Sequence, residues 1–181
     1  MIPESKSTII SLIDLQERLC GAIERSKEIL PRIKILLEGA KTLGIPVVAT
    51  EQYPQGLGAT LPELKEILPP DTAFLSKTSF SCFGTEDYRK ELAKMSKGSL
   101  VLVGVESHVC VLQTAIDAAS RGYEVYVPED CVASRRESDQ TAALAFMRSS
   151  GIHIVTSEML LFMLLRDASH PDFKTISKII R

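Results

Sequence analysis

The sequence predicts an α/β fold: a three-layer α/β/α, Rossmann-like doubly wound sheet of six mostly parallel strands, forming a single domain over residues 1–181. Three observations point there. Short β-branched or apolar runs alternate with amphipathic stretches of helical length along the whole chain. Strands separated by helices imply right-handed crossovers and parallel pairing, with helices covering both faces of the sheet. The 181 residues, 45% hydrophobic and 24% charged, suit an ordinary globular domain and exclude long disorder or a coiled coil.

The first strand is read at Ser7 to Ile13, a buried apolar run that stops at Asp14. A helical stretch extends from about Ala22 to Leu43, with Pro31 marking a break or a new first turn, and Gly44 closes it. Ile45 to Thr50 is the second strand. Glu51 to Thr60 is a loop rich in turn formers, and Leu61 to Leu68 is a short helix. Thr72 to Ser76 is the third strand, ending at Lys77. A helix from about Glu86 to Lys94 leads into Ser99 to Val105, the clearest strand of the chain. Val109 to Ser120 is a helix, Glu124 to Val127 a strand, Glu137 to Ser149 a helix and Ile152 to Val155 the last strand. Helical segments near Glu158 to Leu165 and Pro171 to Ile180 complete the reading. The run Met159 to Leu165 is more apolar than a terminal segment needs, which predicts a subunit interface.

Charge and composition exclude several functions. Lys and Arg total 21 against 23 Asp and Glu, a net charge of -2. Nucleic-acid binding leaves a basic excess, because neutralising phosphates supplies most of the affinity. The densest basic spots, Arg135-Arg136 and the tail from Lys174 to Arg181, read as solvated faces, so no nucleic-acid partner is expected. The 7-residue run from Met159 to Leu165 falls far short of the ~20 residues a membrane span requires, so no membrane partner is expected. Cys20, Cys82, Cys110 and Cys131 form no C-x-x-C pair and no secretory signal precedes them. They read as free thiols of a reducing compartment, which predicts cytoplasmic residence. His108, His153 and His170 lie far apart, none at ligand spacing, so no metal is expected. Gly56-x-Gly58 comes nearest to a phosphate loop, but Leu61 stands where G-x-G-x-x-G needs its last glycine.

In open parallel sheets, sites form beyond the carboxyl ends of the strands. That rim collects Asp14, Glu51, Lys77 and the stretch Glu106 to Cys110. Alone, each residue has a plain structural reading: a buried thiol, a helix cap, a solvated lysine. Together they make a nucleophile with its activators. Cys110 opens the helix near Val109, where free N–H groups and a nearby ammonium favour the thiolate. An aspartate can accept the thiol proton and return it to a leaving group. Backbone N–H groups of the Glu106–Cys110 turn are candidate oxyanion donors. Acyl transfer through a thioester-like intermediate follows, and it requires no metal or organic cofactor.

At these residues the sequence resembles the isochorismatase-like cysteine hydrolases over nearly its whole length. The motifs are Ile13-Asp14-Leu15-Gln16, Lys77-Thr78-Ser79-Phe80 and Gly104-Val105-Glu106-Ser107-His108-Val109-Cys110-Val111. The runs Thr50 to Gly58 and His170-Pro171-Asp172-Phe173 look like the isochorismatase-domain proteins of bacteria and eukaryotes. The resemblance implies a triad of Asp14, Lys77 and Cys110 acting on small amides, carbamoyl compounds or vinyl ethers. It implies a cis peptide between Val105 and Glu106 that aims the Glu106 and Cys110 amides at the oxyanion, and assembly as a homodimer or homotetramer. The nicotinamidase branch binds a metal through an Asp and several His after the second strand. Here that region reads Glu51-Gln52-Tyr53, so neither a catalytic metal nor nicotinamide is expected. Many relatives carry Thr where this chain has Ser107, a change that keeps the hydroxyl.

Loop position nominates Gln16, Glu51, Tyr53, Phe80, Ser107 and His108 as residues of a pocket for a small-molecule substrate, and Cys82 as a thiol near Lys77. A carboxylate at Glu51 would favour a cationic or hydrogen-bond-donating substrate; its other reading is a loop hydrogen bond. Two functions stand side by side: a cofactor-independent cysteine hydrolase, and a non-catalytic scaffold or binding protein that retains the fold.

Overall fold

The computed structural model describes residues 2–95 and 98–181. Its strands are β1 (Thr8–Ile13), β2 (Val47–Gln52), β3 (Ala73–Lys77), β4 (Ser99–Val105), β5 (Glu124–Pro128), β6 (Val132–Ala133) and β7 (His153–Val155). The helices are α1 (Glu17–Ala22), α2 (Ser26–Thr42), α3 (Pro54–Leu57), α4 (Pro62–Lys65), α5 (Glu86–Met95), α6 (Leu112–Ser120), α7 (Glu137–Ser149), α8 (Ser157–Leu165) and α9 (Phe173–Ile179). The sheet runs β3-β2-β1-β4-β5-β7 with every pairing parallel, and the two-residue β6 joins the tip of β4. The six strands expected from the sequence are all present, within two or three residues at their ends.

Side chains alternate across each strand, so one run feeds two cores. In β4, Val101, Val103 and Val105 face a core completed by Ile29, Ile33 and Leu36 of α2 and by Leu160, Leu161 and Leu164 of α8. Leu100 and Leu102 face the other core, filled by Tyr88 of α5, Ala115 of α6 and Met147 of α7. The result is the three-layer α/β/α arrangement.

Four local expectations change. The first long helix does not break at Pro31. It is interrupted at residues 23–25, and α2 passes through Pro31 because Ile29, Ile33, Leu36 and Leu37 bury one face and outweigh one missing backbone bond. The apolar run of α8 is mostly internal: Leu160, Leu161, Leu164 and Leu165 are buried, leaving Met159 and Phe162 outside. Core packing therefore accounts for most of the surface assigned to a subunit interface. The helix expected from Val109 starts at Leu112, after a π turn at Ser107–Val111. Finally, β5 pairs with the first half of β4 and β6, in the same direction, with its tip, so the chain after β5 continues along β4 towards the Cys110 turn.

Candidate active site

Two parallel strands bring the site together. Ile13 of β1 pairs with Gly104 of β4, and a Cβ at position 104 would lie 2.0 Å from the Ile13 carbonyl oxygen. Gly104 also has φ +140, so only glycine allows this approach. The strand ends carry the chain into two left-handed residues, Asp14 (φ 55) and Glu106 (φ 55, ψ 58), which turn their loops over the sheet edge. The expected cis peptide between Val105 and Glu106 is absent. Among the described residues every peptide bond is trans, and left-handed Glu106 makes the turn at lower cost than a non-proline cis bond.

Asp14, Lys77 and Cys110 meet. Lys77, at the end of β3, donates to Asp14 Oδ2 at 2.6 Å, with both side chains only 1% exposed. Its Nζ lies 3.7 Å from Cys110 Sγ. Thr50 donates to the second aspartate oxygen at 2.8 Å. Lys77 also donates to Gln52 Oε1 at 2.6 Å, with the carbonyls of Ser79 and Phe80 at 3.3 Å. Burial alone would lower the Lys77 pKa, but the charges of Asp14, Cys82 and Cys110 outweigh it and raise it.

The thiol differs from expectation. Burial first, and then Asp14 as a charge and hydrogen-bond acceptor, push Cys110 up to about 12 against the opposing pull of Lys77. Cys110 sits inside the π turn, not in the first turn of an α-helix, and is 6% exposed. Burial and the neighbouring Asp14 carboxylate thus favour the thiol over the thiolate. Cys82 lies in the same neighbourhood, its sulfur 3.7 Å from Thr50 Oγ1, and burial pushes it up to about 11 against the pull of Lys77.

A pocket of about 450 Å³ opens onto this cluster. Leu19, Tyr53, Leu57, Phe80, Val105 and Val109 form its apolar wall. Asp14, Gln52, Glu106, Cys110 and Arg135 supply its polar groups. Of the residues nominated from the sequence, Tyr53 and Phe80 line the pocket. Gln16 does not. Fully buried, it clamps the backbone of Gln52, accepting from the Gln52 N–H at 2.7 Å and donating to its carbonyl at 3.0 Å. Glu51 is likewise turned away, accepting from the Thr60 N–H and hydroxyl at 2.7 and 2.9 Å, so the loop-brace reading holds. Ser107 is buried with its hydroxyl on that of Ser134. His108 bonds Ser134 Oγ through Nδ1 at 2.9 Å and lines a separate cavity with Asp139 and Phe146.

Three polar side chains line the pocket that loop position does not nominate. Gln52, expected in a loop, is the last residue of β2, where it holds Lys77 and donates to the Thr78 carbonyl at 2.9 Å. Glu106, nominated for its backbone N–H, also brings its side chain to the pocket. Arg135, a solvated charge by its sequence neighbours, has its Nε 2.7 Å from Glu106 Oε1 because β6 delivers it there. Among the described residues no group of three or more His, Cys, Asp or Glu is arranged to hold a metal, and no described helix is long and apolar enough to cross a membrane.

The family model for the isochorismatase domain matches residues 8–159. The chain belongs to the isochorismatase family. It is similar to isochorismatase domain-containing protein 2A of Mus musculus, 43% identical over 184 residues, with 100% of this chain and 85% of the relative covered. The domain-containing protein 2 of Xenopus laevis is 41% identical over 176 residues, covering 97% of this chain and 84% of that one. Among solved structures, the MAR1 ribonuclease from Caenorhabditis elegans superposes with a TM-score of 0.94 at 37% identity, covering 99% of this chain and 92% of that one. Family membership ties the isochorismatase fold described above to hydrolase relatives.

Proposed function

We propose that this protein is a cofactor-independent cysteine hydrolase of a small amide, carbamoyl or related C–N or C–O compound, working through Asp14, Lys77 and Cys110. One observation carries the reading: Lys77 Nζ, buried behind the pocket, bridges Asp14 Oδ2 at 2.6 Å and Cys110 Sγ at 3.7 Å, the two residues that line it. Asp14 takes the thiol proton as sulfur bonds to the electrophilic carbon and the carbonyl electrons move onto oxygen. The N–H groups of Glu106 and Cys110 receive that oxyanion. Collapse breaks the bond to the leaving group, which takes the proton from Asp14. Water then attacks the thioester with Asp14 as base, the C–S bond breaks, and the sulfur recovers its proton. Lys77 stays an ammonium throughout, consistent with its raised pKa, and stabilises the anionic sulfur.

The test is hydrolysis of a panel of small amides and carbamoyl compounds. Turnover by wild type and its loss in Cys110→Ala is the expected result, and full activity in Cys110→Ala refutes the assignment. No turnover anywhere in the panel favours the scaffold reading. The name of the Caenorhabditis elegans relative brings a second reading, RNA hydrolysis. The pocket's apolar wall offers little to a phosphate backbone, but cleavage of single-stranded RNA that disappears in Cys110→Ala would make RNA the substrate. Assembly as a homodimer or homotetramer belongs to the same proposal. The exposed rings of Phe146 and Phe162 support it, and sedimentation at micromolar concentration tests it.

A further inference from the structure

The turn that carries Cys110 is gripped from one side. Glu106, Ser107 and His108 are consecutive, and the side chain of each meets Ser134 or Arg135. Arg135 Nε lies 2.7 Å from Glu106 Oε1. The Ser134 hydroxyl bonds the hydroxyl of Ser107 and stands 2.9 Å from His108 Nδ1. Ser107 and Ser134 are completely buried, so no solvent competes for their contact. The grip is itself anchored: β6 pairs Val132 with Gly104 and Ala133 with Val105, and Gln140 of α7 donates to the Val132 carbonyl at 3.1 Å. The turn needs such support. Glu106 is left-handed, at φ 55 and ψ 58, and a residue with a side chain keeps that conformation only where its surroundings enforce it. Its carboxylate is 12% exposed, and Oε2 is buried with no hydrogen-bond partner among the described residues. A strained backbone and an unsatisfied carboxylate oxygen both favour a relaxed turn, and the contacts to residues 134 and 135 oppose that relaxation.

We infer that Ser134 and Arg135 are positioning residues: through the side chains of Glu106, Ser107 and His108 they hold the Glu106 and Cys110 amides where the oxyanion forms. This deepens the hydrolase reading and rests on it. Releasing the turn weakens a contact made only as negative charge develops on the carbonyl oxygen. It leaves the attack of sulfur on a saturated carbon unaffected.

The experiment compares two reactions of Cys110. With p-nitrophenyl acetate, sulfur bonds to the acetyl carbon, the carbonyl electrons pass onto oxygen and return, and the C–O bond breaks to release p-nitrophenolate. With iodoacetamide, sulfur displaces iodide from a saturated carbon and no oxyanion forms. In both, the thiol proton leaves to solvent. Nitrophenolate release in excess of that from Cys110→Ala gives the acylation rate, and peptide mass spectrometry gives the alkylation rate. The expected result is an acylation-to-alkylation ratio that falls about tenfold or more in Ser134→Ala and in Arg135→Met. Arg135→Lys, which restores a cation for Glu106, should return the ratio to within about threefold of wild type. Ser134 does not line the pocket, so its effect does not come from touching the ester. Arg135 is 63% exposed, so Arg135→Met still decides the matter if a melting curve shows Ser134→Ala to be unfolded. A ratio within about twofold of wild type in either folded variant overturns the inference, because a misplaced donor costs far more. An equal fall of both rates also overturns it, since the grip would then serve the sulfur and not the oxyanion. If wild-type Cys110 shows a ratio no higher than that of N-acetylcysteine, the hydrolase reading itself falls and takes this inference with it.

Discussion

Lys77 Nζ has three protons and five acceptors within 3.7 Å, and the two short contacts go to Asp14 and Gln52. The sulfur of Cys110 is the most distant of the five, which fits a thiol that burial pushes up to about 12. Alkylation of Cys110 by iodoacetamide should therefore rise about tenfold per pH unit between pH 7 and 10 with no plateau, since the thiolate fraction is still growing there. A plateau below pH 9 would show that the thiolate already dominates. Lys77→Met should slow the reaction at every pH, because the ammonium is the group that lowers the thiol pKa. The Asp14–Lys77 pair makes a stability prediction of its own. Asp14→Asn leaves a buried ammonium without its counter-charge and should cost about 3–5 kcal/mol in urea unfolding, while Asp14→Asn with Lys77→Met recovers part of the loss. All three residues were legible from their place at strand ends. Gln52 was not, because a glutamine in a polar loop carries no signal until the sheet brings Lys77 beside it.

Among the elements, the contact between β1 and β4 decides whether the site exists. Gly104→Ala must displace the Ile13 carbonyl as well as hold an unfavourable backbone angle. Gly122→Ala provides the comparison: its φ is +85, but nothing lies within 4 Å of the added Cβ, so it should lose only the ~1–2 kcal/mol of a left-handed residue. Gly104→Ala should lose more than that in urea unfolding and should slow Cys110 alkylation, because Asp14 and the π turn move apart. Equal losses in the two variants would contradict the close approach. Long periodic elements such as β4 and α7 were readable in advance because burial imposes a repeat on several residues. A two-residue strand and a single π turn impose no repeat. For that reason β6, which carries the chain to Arg135, and the turn holding Cys110 escaped the sequence reading.

At the scale of the molecule, the buried thiols set the response to alkali. Burial raises Cys20 and Cys82 to about 11 and Cys110 to about 12, whereas thiols of the unfolded chain ionise near 9. Between those values the unfolded chain binds fewer protons than the native one, so stability falls as pH rises. Lys77 acts in the same direction. Its raised pKa contributes stability that is complete below its unfolded value of 10.5 and is lost as pH climbs through the folded value. The melting temperature should accordingly drop between pH 8.5 and 11, with a shallower drop in Cys82→Ala at the same ionic strength. A flat profile across that window would show that these groups ionise in the native protein as easily as in the unfolded one.

The amino-acid sequence by itself determined the layered α/β architecture, the strand ends and the three residues that meet there. Hydrophobic periodicity and the rule that parallel sheets place functional groups at their carboxyl edge are local signals that survive without coordinates. Only the tertiary structure decided which polar residues face the pocket. Gln16, Glu51 and Ser107 are near neighbours in the chain of true lining residues but turn away to satisfy backbone and hydroxyl groups, while Gln52, Arg135 and the Glu106 side chain reach the cavity. The pKa of Cys110 was likewise decided in three dimensions, because it depends on burial and on the charges of Lys77, 33 residues away in the chain, and of Asp14, farther still.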